Sequence, residues 1–169
     1  MSFFTGFLLS SLCIQSAFAV DYLTRETSSG PATGFVDPSA PNVAQFLGVP
    51  FAEAPVGERR WLPPVWKKRE QNINATSFGK SCSQFLPSTP SIFTEDVPEF
   101  NIPADGATGE DCLTVSIWAP KQTRGENGSL PVIAWIYGGG FYTGGANVPY
   151  QNPTQWIERS QEHIVVSIK

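Results

Sequence analysis

Charge is scarce in this sequence, and positive charge scarcer still: 15% of the 169 residues are charged, and eleven Lys and Arg leave a net charge of −4. Apart from Lys67-Lys68-Arg69, which reads as a solvated loop, the basic residues are scattered, so nucleic acid is excluded as a partner. Internal repeats and heptad patterning are absent, which removes solenoids and coiled coils. No apolar run reaches the roughly 20 residues needed to cross a bilayer, so stable membrane insertion is not expected. At the glycine-rich turn there is neither G-x-x-x-x-G-K-[ST] nor G-x-G-x-x-G with a following helix, which argues against a phosphate loop. No metal and no cofactor are expected, and composition carries no signal for an oligomeric state.

What remains is a globular composition with 41% apolar residues, enough for one domain. The first nineteen residues carry no charged side chain. Their apolar stretch from Phe3 to Ile14 ends in Ala17-Phe18-Ala19, an A-x-A site of the kind that closes a secretory signal peptide. The expected organisation is therefore a signal peptide over 1–19, a mature domain over 20–169, and a secreted, extracellular product. Cleavage after Ala19 removes Cys13 and leaves Cys82 and Cys112 with one possible pairing in an oxidising compartment. A disulfide between them is expected; the other reading is two unrelated buried thiols. Two N-x-S/T sequons, at Asn74 and Asn127, suit the same compartment and are expected on surface loops.

Fifteen prolines and fifteen glycines spread through the mature region require many loops. Four stretches read as strands. Ala44 to Val49 is a short apolar run ended by Pro50, and Leu113, Val115 and Ile117 alternate with Thr114, Ser116 and Trp118 at strand period. Pro131 to Tyr137 holds the continuous run Val-Ile-Ala-Trp-Ile, which suits a strand buried on both faces, and Ile164 to Ile168 has the same character. Between these last two, Asn152 can cap a helix that begins at Pro153 and runs to Ser160. Strand, glycine turn, helix, strand is a crossover unit, so a parallel pair with right-handed connection and an α/β fold are expected. Residues 87–109 show little periodicity and read as an excursion closed by the disulfide.

Tyr137-Gly138-Gly139-Gly140-Phe141-Tyr142 directly follows the third strand. Three glycines in a row weaken any regular element, so they call for a reason. Glycine lets consecutive amide protons converge on an anion, and its lack of a β-carbon lets the backbone approach a substrate oxygen. Donors aimed at charge developing on an ester carbonyl are worth about 2.7–4 kcal/mol each. Glycine-rich turns of this kind supply such donors in lipases and esterases. The bland reading is a flexible hairpin or tight bulge.

Three blocks resemble the type-B carboxylesterases, a family that includes cholinesterases and fungal secreted lipases. Phe46-Leu47-Gly48-Val49-Pro50-Phe51-Ala52-Glu53-Ala54-Pro55-Val56-Gly57, continued by Arg60-Trp61-Leu62-Pro63-Pro64, is similar to that family's FLGIPYAEPPVG segment. Gly109-Glu110-Asp111-Cys112-Leu113-Thr114-Val115 resembles its SEDCLYLNV, and Leu130 to Phe141 resembles its oxyanion strand and turn. The resemblance implies the N-terminal portion of an α/β-hydrolase fold with a mixed β-sheet. It implies oxyanion donors at Gly139 and Gly140, a disulfide from Cys112 to Cys82, and a substrate pocket beside Gly138, Phe141 and Tyr142. Core packing is the other reading for Phe141. The substrate implied is a small-molecule or lipid carboxylic ester.

That family's nucleophile sits in a G-x-S-x-G elbow, which this chain lacks. The nearest imitation, Gly79-Lys80-Ser81-Cys82-Ser83, has no final glycine, so Ser81 is not expected to be a nucleophile. The single histidine, His163, has no serine partner upstream and reads as a surface or strand-edge residue. Serine, acid and histidine are expected beyond Lys169, and the chain alone is expected to be inactive, with no catalytic residue of its own. The competing readings are a secreted non-catalytic module on the same scaffold and an incomplete gene model.

Overall fold

A computed structural model describes residues 22–86, 89–103, 108–121 and 129–169. The expected signal peptide and Asn127 lie outside the described residues.

Among the described residues nine strands and one α-helix appear in the order β1 (Thr24–Thr27), β2 (Gly30–Thr33), β3 (Val43–Pro50), β4 (Ile73–Asn74), β5 (Ser81–Cys82), β6 (Thr108–Gly109), β7 (Thr114–Pro120), β8 (Val132–Ile136), α1 (Thr154–Ser160) and β9 (Ile164–Ile168). They form a four-stranded sheet in the order β3-β7-β9-β8, a three-stranded sheet β1-β2-β4 and the short pair β5-β6. The larger sheet is mixed: β3-β7 and β7-β9 are antiparallel, whereas β8 and β9 run parallel in register from Val132 opposite Ile164 to Ile136 opposite Ile168. That parallel pair brackets α1, as the order of strand, turn, helix and strand requires.

The β3 strand is buried on both faces. Ala44, Phe46 and Val49 join a cluster with Ala32, Ile73 and Ala75, where the three-stranded sheet covers the larger one. Val43 and Leu47 point the other way, into a cluster with Trp118, Ile157 and Val165 that lies under α1. Successive strand residues face opposite sides, so this two-sided burial needs no break in periodicity until the register shifts between Phe46 and Val49. Gly48 sits at the shift with φ of +70°, and its amide donates to Ser116 Oγ at 3.2 Å. A β-carbon there would lie 2.6 Å from the Gly79 nitrogen and 2.7 Å from the Ser77 oxygen.

In β7 the alternation is inverted relative to its chemistry. Thr114, Ser116 and Trp118 form the more deeply buried face, while Val115 and Ile117 are only partly covered. Two of the polar side chains on this face are paired, Ser116 accepting from Gly48 and Trp118 Nε1 donating to Gln45 Oε1 at 3.1 Å, while the buried Thr114 hydroxyl has no partner among the described residues. The Thr154 hydroxyl, at the start of α1, lies 3.3 Å from the same Gln45 oxygen, while its proton goes to Asn152. Asn42, just before β3, grips the far end of the helix through Glu158, with bonds of 2.9 and 2.7 Å.

Several expectations need correction. The β8 strand is not buried on both faces; all five residues are exposed, Ile136 by 77%. It is an edge strand paired on one side only, and α1 packs on β3 and β7 instead of over it. The β9 strand alternates between buried and half-buried residues, because its inner side faces the α1 cluster through Val165. The helix begins at Thr154, one residue later than expected. Asn152 still serves the start, accepting the Thr154 amide and hydroxyl at 3.0 and 2.6 Å. Sequence reading missed the β1-β2 hairpin and the two-residue strands.

Cys82 and Cys112 form a disulfide that closes a loop across a separation of 30 residues. No described helix is long and apolar enough to cross a membrane.

Two stability outcomes follow. Gly48→Ala places a side chain into backbone at positive φ and should cost about 1–3 kcal/mol, read as a lower urea midpoint. Replacing both Cys82 and Cys112 with Ser should cost about 3 kcal/mol through the loop entropy returned to the unfolded chain. An unchanged midpoint in reducing and oxidising buffer would contradict the second.

Candidate active site

The glycine turn begins one residue past the edge strand β8. Gly139 and Gly140 have φ of +146° and +63°, and Phe141 follows at +67°. This run of positive φ folds the chain back so that the Gly139 carbonyl accepts the amides of Tyr142 and Thr143 at 3.3 and 3.2 Å. Position 139 tolerates no side chain: a β-carbon would lie 1.8 Å from the Thr143 oxygen. At Gly138, by contrast, a β-carbon meets nothing within 4 Å.

The amides of Gly139 and Gly140 have no acceptor among the described residues. Both glycines are exposed and border an open cleft of about 630 Å³. Its walls come from three parts of the chain: the turn itself, Cys82 to Gln84 after the disulfide half-cystine, and Ile168 with Lys169 at the end of β9. Lys169 Nζ donates to the Gly79 carbonyl, and burial lowers its pKa to about 8. The lysine is thus mostly cationic at neutral pH and loses that charge over a mildly alkaline range.

Gln84 fastens the turn from the disulfide side. Its Oε1 accepts the Gly144 amide at 2.7 Å and the Thr143 hydroxyl at 3.0 Å. Its Nε2 donates to the Gly144 carbonyl at 2.7 Å and to the Cys82 carbonyl at 3.0 Å. A further bond runs from the Phe85 amide to the Tyr142 carbonyl at 3.3 Å. Sequence reading did not single out Gln84, Thr143 or Gly144. A glutamine two residues from a half-cystine matches no motif, and its partners come from about sixty residues away.

The residues named in advance divide clearly. Gly138, Gly139, Gly140, Phe141 and Tyr142 all border the cleft, and Cys82 lies in its wall. Among the described residues Phe141 packs against nothing, and its side chain is fully exposed there. Tyr142 is also exposed and tilts against Phe85 with ring centres 6.5 Å apart. Ser81 is wholly buried and donates to Asn147 Oδ1 at 2.6 Å, a structural bond out of reach of any substrate. Asn74 is exposed, but at the end of β4 and not on a loop, and its Oδ1 accepts the Thr76 hydroxyl at 2.8 Å.

Of the two readings for His163, surface or strand-edge, the surface one fails, and the residue stands directly before β9. The ring is buried just before β9, because Trp156 of α1 packs against it at 4.3 Å, and Nδ1 lies 3.2 Å from Ser160 Oγ. Among the described residues no cluster of His, Cys, Asp and Glu could hold a metal. Two of the sequence blocks also meet in space, through an ion pair between Arg60 and Glu110.

A profile described as the carboxylesterase family matches residues 21–169. The chain is 44% identical over 146 residues to a chlorogenic acid esterase of Aspergillus niger, covering 85% of this chain and 28% of that protein. It is 41% identical over 158 residues to secreted lipase 5 of Gibberella zeae, covering 87% and 30%. To an acetylcholinesterase of Bungarus fasciatus it is 35% identical over 164 residues, covering 93% and 26%. The chain therefore spans less than a third of the length of these relatives. A family match over residues 21–169, together with relatives at 35–44% identity, means that this chain belongs to the carboxylesterase family.

Proposed function

We propose that the chain is the N-terminal portion of a secreted α/β-hydrolase that cleaves carboxylic esters by acyl transfer to water. In this reading Gly139 and Gly140 supply the oxyanion donors. The observation that carries it is a glycine turn, bent by positive φ, whose two central amides have no acceptor among the described residues and border an open cleft. A hydroxyl nucleophile would attack the ester carbonyl carbon, moving the carbonyl π electrons onto oxygen, and the two amides would hold that charge. Collapse would expel the alcohol, and water would then release the acid.

The match to relatives named as esterases and a lipase supports the reaction class, and their greater length supports a nucleophile, acid and histidine carried by polypeptide that follows Lys169. Ser81 is buried and bonded to Asn147, and His163 is buried against Trp156, so neither is assigned to the chemistry. Phe141 and Tyr142, exposed at the cleft, would contact the acyl or alcohol group of a small-molecule or lipid ester. Removal of residues 1–19 as a signal peptide, and glycans on Asn74 and Asn127, complete the reading.

Residues 20–169 alone should not turn over p-nitrophenyl acetate, whereas the complete polypeptide should. Turnover by the shorter protein that a serine-directed phosphonate abolishes would overturn the assignment of the nucleophile to a later segment. A complete polypeptide that is folded and inert would favour a non-catalytic binding module instead. In the active protein Gly139→Ala should lower kcat on the order of a hundred- to a thousandfold, by displacing the donors. Gly138→Ala, which meets open space, should cost much less.

A further inference from the structure

We propose that Gln84 is a positioning residue for the oxyanion turn, a side-chain clamp that holds Thr143 and Gly144 against the disulfide-linked segment and so sets where the Gly139 and Gly140 amides stand. The inference rests on the esterase reading above and adds a residue to it. One primary amide makes four hydrogen bonds of 2.7–3.0 Å, three to Thr143 and Gly144 and one to the Cys82 carbonyl. Both bonds to the Gly144 backbone are 2.7 Å long, so the side chain pairs with that peptide position as a neighbouring strand would.

The turn needs such a partner. Its own bonds end on one acceptor, the Gly139 carbonyl, which receives the Tyr142 and Thr143 amides at the long end of hydrogen-bond range. Glycines at 138, 139 and 140 leave the backbone free to sample other conformations. Fixing Thr143 fixes Gly139 in turn, because the Thr143 amide donates to the Gly139 carbonyl and a β-carbon on residue 139 would run into the Thr143 oxygen. Gln84 also bonds Cys82, half of the disulfide, so the turn is referred to a covalently closed loop. Donors must stand within a fraction of an ångström of the developing charge to act, and a misplacement of about 1 Å can cost a hundredfold in rate.

The test uses the complete polypeptide and its turnover of p-nitrophenyl acetate, together with amide hydrogen exchange in peptides spanning 137–145. Gln84→Met keeps the length and removes all four bonds. It should lower kcat on the order of ten- to a hundredfold with KM within about twofold, and speed exchange in those peptides. Gln84→Glu keeps both acceptor contacts and loses both donated bonds, so its exchange should fall between wild type and Gln84→Met. If Gln84→Met does not fold, Gln84→Glu decides by the same readouts. Wild-type kcat and exchange in either variant would overturn the clamp. An inert wild-type polypeptide would instead overturn the esterase reading, while exchange over the turn would still report on Gln84.

Discussion

The buried side chain of Gln45 is the constraint on which the rest of the structure depends. Its oxygen, on β3, accepts from Trp118 on β7 and lies 3.3 Å from the hydroxyl of Thr154, the first residue of α1, whose proton goes to Asn152. Gln45 and Trp118 are both buried, so losing either partner would leave a polar atom desolvated without compensation, at a cost of about 1–3 kcal/mol. Thr154 stands beside that bond, where the crossover helix meets the sheet. Ile157 and Val165 then pack on Trp118 from the helix and from β9. With β9 fixed, β8 has one register to adopt beside it, and the end of β8 determines where the glycine turn starts.

Burial falls off toward the glycine turn. Near β3 and β7 both sheet faces are covered, whereas β8 is an edge strand with exposed Val132, Trp135 and Ile136. An apolar edge with unpaired backbone groups is ordinarily a hazard for strand addition. A turn attached there inherits little rigidity from its own strand. The bonds that hold it come from elsewhere, through Gln84 and Phe85, across about sixty residues of sequence.

The strands were legible wherever apolar pattern alone decides the element. The β9 strand was read to the residue, and β3, β7 and β8 to within two, because continuous β-branched runs bounded by proline or glycine leave few alternatives. Burial was much less legible. Val-Ile-Ala-Trp-Ile has the composition of an inner strand, yet β8 is exposed, since composition reports what a strand can bury and not what covers it. In β7 the reverse holds: Thr114 and Ser116 lie on the more buried face, a choice set by Gly48 and the bulge. His163 was misjudged for a similar reason, as nothing local announces that Trp156 will cover its ring. The disulfide followed from the two cysteines left once residues 1–19 are set aside, and from the family resemblance.

The glycine turn was legible as an exception, three residues too costly to be accidental, but its support was not. A motif marks atoms that perform chemistry. The atoms that aim them follow from tertiary contacts, and a glutamine beside a half-cystine has no pattern of its own. Placing the clamp two residues from Cys82 has a physical logic, because the disulfide limits how far that segment can drift from β7, to which Cys112 leads directly. The turn therefore has two routes back to the same strand: one through β8 and β9, by backbone pairing, and one through Gln84 and the disulfide. A flexible turn anchored at both ends to one buried strand can keep glycine's close approach without keeping its freedom.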